Sequence, residues 1–304
     1  MTAIKKARRY MPFYIMALPG LIYLLCNNYL PMAGIVIAFK HLNFQKGIFG
    51  SDWAGFDNFK FLFASNNAFR ITRNTILYNL AFLVIGTTLA IALAILMSEV
   101  QGKIASRLYQ SLILLPFLIS WVIVNYLVNA FLAADSGLIN NSIIKPMGKA
   151  PIMWYNSKQY WPFILVICST WKSIGYSMII YLSSIMSISQ DYYEAATIDG
   201  ASKFQQVKQI TVPLIKPAMI TLTILSIGRI FYSDFGLFYQ VPRNSGPLYS
   251  VTQTIDVYVY NALMRNSDFG MSSAAGVYQS IVGFVLIISA NALISKISKD
   301  NALF

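Results

Sequence analysis

Charge is scarce in this sequence. Only 11% of its 304 residues are Asp, Glu, Lys or Arg, the acidic residues number 11, and there is a single histidine. A soluble domain carries about a quarter of its residues charged, so so few exclude an ordinary solvated surface. His41 has no second His or Cys at ligand spacing, which leaves no metal site to propose and reads as a structural or solvated residue. Cysteine is almost missing as well. Cys26 and Cys168 both sit in apolar runs and form no CxxC pair, which argues against a disulfide framework. There is no GxxxxGK[ST] phosphate loop and no dinucleotide-type glycine turn, so the sequence carries no signature for handling ATP or NAD itself. Nor do the apolar stretches hold a catalytic His, Cys or paired carboxylates, which counts against an integral membrane enzyme.

What the chain has in abundance is apolar length. Hydrophobic residues make up 57%, aromatics 14%, and the mean hydropathy is +0.57, which together read as a membrane protein. A helix needs about 20 apolar residues to cross a hydrocarbon core of about 30 Å. Six stretches qualify, at 11–39, 75–98, 108–133, 160–187, 217–240 and 273–296. The expected fold is therefore all-α: a single polytopic domain over 1–304 with six transmembrane helices. Pro19 and Pro31 should tilt, kink or shorten the first of them. The net charge of +12 would suggest nucleic acid in a soluble chain, but here the cations flank spans and no nucleic acid is implied. Lys5, Lys6, Arg8 and Arg9 put the N-terminus in the cytoplasm, with Lys103, Arg107, Lys203, Lys208, Lys216, Lys296 and Lys299 on the same side and both termini inside. Large Leu24 and Leu25 before Cys26 fit neither a lipoprotein signal nor a cleavage site, so the first stretch is expected to stay as a span. Among the outward loops, the aromatics Trp53, Phe56, Phe59, Phe61, Phe63 and Phe69 predict an interfacial helix before the second span.

One long cytoplasmic loop, 188–216, interrupts the apolar pattern. Asp191 with Glu194 has the spacing of a capping box, Gly200 supplies a helix stop, and Ser202 with Gln205 repeats the capping pattern. A helical hairpin is predicted, its second helix running toward Thr211 before Pro213 and Pro217 turn the chain back into the bilayer. Ala195 and Ala196 keep one face small. Tyr192, Tyr193 and Ile198 offer apolar area to a partner, or the segment is a loop helix on the membrane surface.

The stretch "EAATIDGASKFQQVKQITVP", Glu194 to Pro213, resembles the EAA loop of ABC importer permeases. Further stretches, "LPGLIYLLCNNYLPMAGIVIAFKHLNFQKGIFGS", "STWKSIGYSMIIYLSSIMSISQDYYEAATIDGA" and "TIDVYVYNAL", resemble the carbohydrate branch related to the maltose permeases, so the likeness covers nearly the whole chain. The resemblance implies a non-enzymatic permease subunit in a bacterial plasma membrane, importing an oligosaccharide as half of a heterodimeric pathway. It implies further that Tyr192, Tyr193, Glu194, Ala195, Ala196, Asp199, Gly200, Ala201 and Pro213 form an EAA-type coupling hairpin. The partners it implies are a second homologous permease, two ATPase subunits that hold the ATP and Mg, and an extracytoplasmic solute-binding protein. This chain itself would bind no cofactor.

For such a cargo, amides and aromatic faces inside spans are the residues to examine, because sugar hydroxyls need donors and acceptors and sugar rings stack on aromatic faces. Trp121, Asn125 and Asn129 share one helix face, with Tyr126 beside them. Trp171, Lys172 and Tyr176, then Arg229, Tyr232 and Asp234, then Tyr278 and Gln279 complete the candidates. Each could instead bond a neighbouring helix. Lys172 and Arg229 raise an acidic glycan without deciding for it. The alternatives are a permease for a smaller sugar, polyol or glycerol phosphate, and an ion-coupled secondary transporter. The latter lacks an internal inverted repeat and has few membrane carboxylates beyond Asp234.

Overall fold

The structure, a computed structural model, describes residues 3–64 and 66–297, and of these the side chains of 3–9, 61–64, 290 and 293–297 are not described. The expectations for Lys299, and for the side chains of Lys5, Lys6, Arg8, Arg9, Phe61, Phe63 and Lys296, lie outside the described residues. Among the described residues five helices are long and apolar enough to cross a membrane, or six if one bent pair counts as a single span. The contacts divide the chain into two compact units, Met1–Asn66 with Val259–Tyr278, and Asn67–Tyr258 with Gln279–Phe304.

The first unit begins with helix α1 (Ala3–Leu24), which continues in altered winding so that the apolar run Tyr10–Phe39 is one helix. Two short strands, β1 (Lys40–His41) and β2 (Asp52–Trp53), then pair antiparallel, His41 opposite Asp52. Lys40 is buried here: its Nζ donates to the Phe49 carbonyl at 2.6 Å and lies over the Trp53 ring. Exposed Lys46 bridges Asp52 at 2.9 Å and holds that carboxyl below the usual carboxylate range. Helix α2 (Asp57–Ala64) follows, and the Asn58 amide donates to the Ala38 and Lys40 carbonyls at 3.0 Å. The predicted aromatic surface helix is therefore split. Phe56 and Phe59 cluster with Phe39 around α2, while Phe69 belongs to the next helix.

The second unit is built on α3 (Asn67–Ser98) and α6 (Trp161–Met186), with α4 (Lys103–Leu118) and α5 (Trp121–Leu132) between them in sequence. At one end Ala90 and Ala94 of α3 meet Met178, Tyr181, Leu182 and Ile185 of α6 with Ile215. Toward the other end Tyr78, Val124, Trp161, Leu165, Phe238 and Leu248 form a second buried cluster. Helices α4 and α6 approach closely at Gly175, where any Cβ would run into the Ile113 carbonyl. A small residue is what permits backbones to come that near.

Two expected spans are corrected. The third, 108–133, is not one helix: α4 and α5 meet at 95°. Ile119 and Ser120 are extended, and the Ser120 hydroxyl accepts from the Ile123 N–H, so a serine N-cap restarts the helix. The fifth, 217–240, is too long. The helix here is α8 (Lys203–Ile227), and after a turn the Asp234 side chain caps a separate short helix, α9 (Phe235–Gln240).

Pro213 and Pro217 also do not end their helix, which runs on to Ile227, and the winding that precedes Pro213 recurs along the chain. Among the described residues three stretches of wide π-type winding occur, Leu25–Tyr29, Asn140–Ile144 and Val207–Thr211. Each is followed by a residue that donates its N–H to the carbonyl five back, Leu30 to Leu25, Lys145 to Asn140 and Val212 to Val207. The next residue each time is a proline: Pro31, Pro146 and Pro213. A proline ring clashes with the carbonyl four residues before it, and one wide turn makes the room: the helix goes on past Pro31 and Pro213, while at Pro146 the chain passes into a turn.

The last helices are α10 (Ile255–Met264) and α11 (Phe269–Ile297). Within the second unit, Gln279 of α11 donates to the Phe231 carbonyl and to Asp256, whose carboxylate also accepts from the Ser233 N–H and hydroxyl. From α3, Asn74 donates to the Gln253 carbonyl and Tyr78 to the Val251 carbonyl, while Thr75 accepts from the Ile255 N–H. Irregular backbone at 228–254 is thus held by side chains from the helices around it, as buried peptide groups require.

Candidate functional site

The hairpin after α6 is a self-supporting piece. Helix α7 (Gln190–Ile198) starts at Ser189, whose hydroxyl accepts from the Asp191 N–H, so Ser189 and not Asp191 is the cap. Asp191 lies in the first turn, where its charge suits the helix dipole. The helix ends as Gly200 predicts: φ is +77° there, Gly200 N–H donates to the Thr197 carbonyl and Ala201 N–H to the Ala196 carbonyl. These two bonds are a Schellman motif, which closes the helix on its own orphan carbonyls. Ser202 and Gln205 then form the expected reciprocal capping box for α8.

Side chains tie the hairpin together and to the helices beneath. Gln206, buried, donates to the Thr197 hydroxyl at 3.0 Å and to the Ala201 carbonyl. Tyr193 and Thr211 share a hydrogen bond of 3.0 Å, so Tyr193 faces its own chain. Lys203 bridges Glu99, beyond the end of α3, at 3.0 Å. Tyr193, Gln206, Thr211, Lys203 and Glu99 line a cavity of about 320 Å³ under the hairpin. The outer surface is left with Tyr192, Glu194, Ala195, Ile198, Asp199, Gly200 and Phe204 exposed, Ile198 at 86%. Ala196 and Ala201 are half-buried and Pro213 is exposed on α8. Phe204 was not singled out from sequence, although an apolar residue two places after a cap is the signal that marks it.

Two adjoining cavities lie toward the other end of the second unit. The larger, about 540 Å³, is lined by residues including Asn79, Thr87, Ser177, Ser226, Arg229 and Tyr232. The second, about 480 Å³, is lined by residues including Phe117, Ser120, Trp121, Ser169 and Lys172. Ser173 and Asp234 line both. Trp121 donates its Nε1 to Asp234 at 2.7 Å, and the Trp121 ring lies where a Cβ on Gly236 would fall. Lys172 donates its amino group to the Phe117 carbonyl at 2.7 Å and the Pro116 carbonyl at 3.4 Å, over the Phe117 and Trp121 rings. It thereby caps the end of α4 from a different helix, a cation at a helix C-terminus.

Of the predicted pathway residues, Trp121, Lys172, Arg229, Tyr232 and Asp234 come together on these walls. The others line neither cavity. Asn129 accepts from Arg243 at 2.8 Å, Tyr176 stacks on Phe117, and Gln279 makes the bonds already described. Asn125 is half-buried, and its Oδ1 has no hydrogen-bond partner among the described residues. Tyr126 is exposed, Trp171 is 39% exposed on the face beside Lys172, and Tyr278 belongs to the first unit. The wall residues that sequence reasoning missed include Asn79 and a row of small side chains. Ser169, Ser173 and Ser177 recur every four residues on α6, one stripe of a helix, and that spacing was the available signal.

Asn79 has the most demanding task of the wall residues. Its amide donates to the Thr75, Ile230 and Tyr232 carbonyls, all at 2.9 Å. Asn79→Ala leaves two loop carbonyls without these bonds, at about 1–3 kcal/mol for each that stays dry. The expected result is a lower melting temperature for the detergent-purified protein and slower transport. An unchanged melting curve would mean that water replaces the amide.

Comparison with known proteins comes to the same chain-wide likeness. The profile of the family described as "Binding-protein-dependent transport system inner membrane component" matches residues 84–299. The chain is 36% identical over 287 residues to the polygalacturonan/rhamnogalacturonan transport system permease protein YteP of Bacillus subtilis, covering 94% of this chain and 88% of that one. It is 33% identical over 287 residues to the protein LplB of the same organism, covering 94% and 89%. Among solved structures it superposes with a TM-score of 0.86, at 30% identity and 98% coverage of both chains, on a chain of a bacterial alginate ABC transporter in complex with an alginate pentasaccharide-bound periplasmic protein.

Proposed function

This chain belongs to the family of binding-protein-dependent transport system inner membrane components, a family of ABC importer permeases, and on that premise we propose the following division of labour. The chain acts as one half of a heterodimeric pathway for an oligosaccharide, with a second homologous permease as the other half. Two ATPase subunits hold ATP and Mg and dock on the exposed face of the α7 hairpin. An extracytoplasmic binding protein delivers the glycan at the opposite end, and both chain termini lie in the cytoplasm of a bacterial cell. The sugar-polymer cargoes named for the relatives favour an oligosaccharide over a polyol or a glycerol phosphate.

The observation that carries this reading is the hairpin itself. It spends its internal polar groups on its own caps and on Gln206, Tyr193 and Lys203, and leaves acidic and apolar side chains facing out. A rigid projection of that kind transmits a push. Helix α8 starts in the hairpin at Lys203 and runs to Ile227, so displacement at the hairpin reaches Ser226 on the cavity wall through one rod, and Arg229 stands in the turn just after it. Closure of the ATPases on ATP would move the hairpin and open the pathway outward, and hydrolysis would reset it.

The test is composition. The chain, tagged at its C-terminus and purified from native membranes in mild detergent, should bring down a second permease and an ATPase identifiable by mass spectrometry. A chain that emerges alone or only as a homo-oligomer from a complex that withstands purification would remove the docking role and move an ion-coupled transporter forward.

A further inference from the structure

Charge on the cavity walls is nearly all committed. Asp234 accepts from Trp121 Nε1 at 2.7 Å and from the Leu237 N–H, so its carboxylate is used in holding α5 and starting α9. Lys172 is used in capping α4, and no carboxylate lies within salt-bridge distance of it among the described residues. Arg229 differs from both. It is exposed toward the larger cavity, and among the described residues its guanidinium has no hydrogen bond and no ion pair.

The hydroxyls around it are oriented in a complementary way. Ser173 donates to the Ser169 carbonyl at 2.7 Å and Ser226 to the Leu222 carbonyl at 2.9 Å, each four residues back. With their protons turned to the helix backbone, these oxygens offer lone pairs to the cavity. The wall therefore presents acceptors for sugar hydroxyls and one unspent cationic fork.

We propose that Arg229 binds a carboxylate of the passing glycan, so that the cargo is an oligosaccharide containing uronic acid residues; the proposal rests on the importer reading above. Two cations and one anion leave the walls one positive charge in excess, which a single carboxylate per sugar offsets. A phosphate dianion asks for more than one cation. The guanidinium is also the cation whose planar pair of N–H groups meets a planar carboxylate bidentately, which a lysine ammonium cannot do.

The test uses the complex as purified from its own membranes, reconstituted in liposomes with its binding protein. The probes are oligogalacturonates and oligomannuronates, and the same oligomers after carboxyl reduction, which keeps length and removes charge. Initial ATP-driven uptake is measured for the wild type, Arg229→Gln and Arg229→Lys, with the amount of assembled complex as the folding control. The wild type should move an acidic oligomer. The acidic-to-neutral uptake ratio should fall at least about tenfold in Arg229→Gln, the loss of a charge-assisted bidentate contact, and to an intermediate value in Arg229→Lys. A wild type that moves only the neutral oligomers, or an Arg229→Gln chain that keeps the wild-type ratio, overturns the assignment and leaves the importer reading intact. If no oligomer of either kind moves and no ATPase is in the complex, the importer reading itself has failed and the proposal with it.

Discussion

Glu194→Lys is expected to leave the chain inserted in the membrane at the wild-type level and to lower ATP-driven uptake by at least about tenfold. The side chain is exposed on the outer surface of α7 and takes part in none of the bonds that hold the hairpin. The variant thus alters a docking surface without altering the fold that presents it, and a reversed charge at a buried contact costs several kcal/mol. Gly200→Pro should lose uptake by the other route. At φ +77° a proline, fixed near −65°, cannot be placed, and the Gly200 N–H bond to the Thr197 carbonyl is lost with it. Gly200→Ala separates the two causes. Nothing lies within 4 Å of a Cβ at this position, so alanine meets only the backbone strain of about 1–2 kcal/mol and should keep much of the activity. The measurement is uptake together with the ATPase recovered on purification. If both Glu194→Lys and Gly200→Pro transport normally, the hairpin is not the coupling element.

The largest effect on stability is expected from Gly175→Val. At that crossing the missing side chain is occupied by the backbone of Ile113 and Leu114, which cannot rotate aside as a flexible side chain can. Helices α4 and α6 would have to separate, at about 3 kcal/mol or more, and the Lys172 cap on the end of α4 would be pulled off its carbonyls. A thermal-shift measurement in detergent should show the melting temperature falling by several degrees. Gly20→Ala is the comparison: a Cβ there has nothing within 4 Å, and helix propensity alone predicts no loss. Equal melting temperatures for the two variants would mean that α4 and α6 are not held as closely as described.

Much of the hairpin was legible because it is written locally. A serine cap, a glutamine three residues later and a glycine at a helix stop act within a few residues of one another, so Ser202, Gln205 and Gly200 could be read from spacing. The reading of Asp191 as the first cap failed at the same short range, because serine and aspartate can both accept from a helix start and Ser189, two residues earlier, holds that position. Tyr193 was legible as an apolar residue and not as an inward one. What turns it in is Thr211, 18 residues on.

The cavity walls were legible only in part. Trp121, Lys172, Arg229, Tyr232 and Asp234 stood out as polar or aromatic residues in or beside apolar stretches, and they converge. Asn129 and Gln279 stood out for the same reason and are occupied by Arg243 and Asp256. Composition cannot tell these cases apart, since an amide that bonds a neighbouring helix and one that faces a passage look alike in sequence.

Sequence alone determined that this chain spans a membrane and that the polar loop after the fourth apolar stretch is a capped hairpin, because hydropathy and caps act over a few residues. Tertiary structure decided where the third span breaks and where the fifth ends. The break is held by Lys172, which reaches the α4 carbonyls from 55 residues away, and by the Trp121 bond to Asp234 across 113 residues. Contacts so distant in the chain leave no periodic trace in it, and only the packing of the helices brings their partners together.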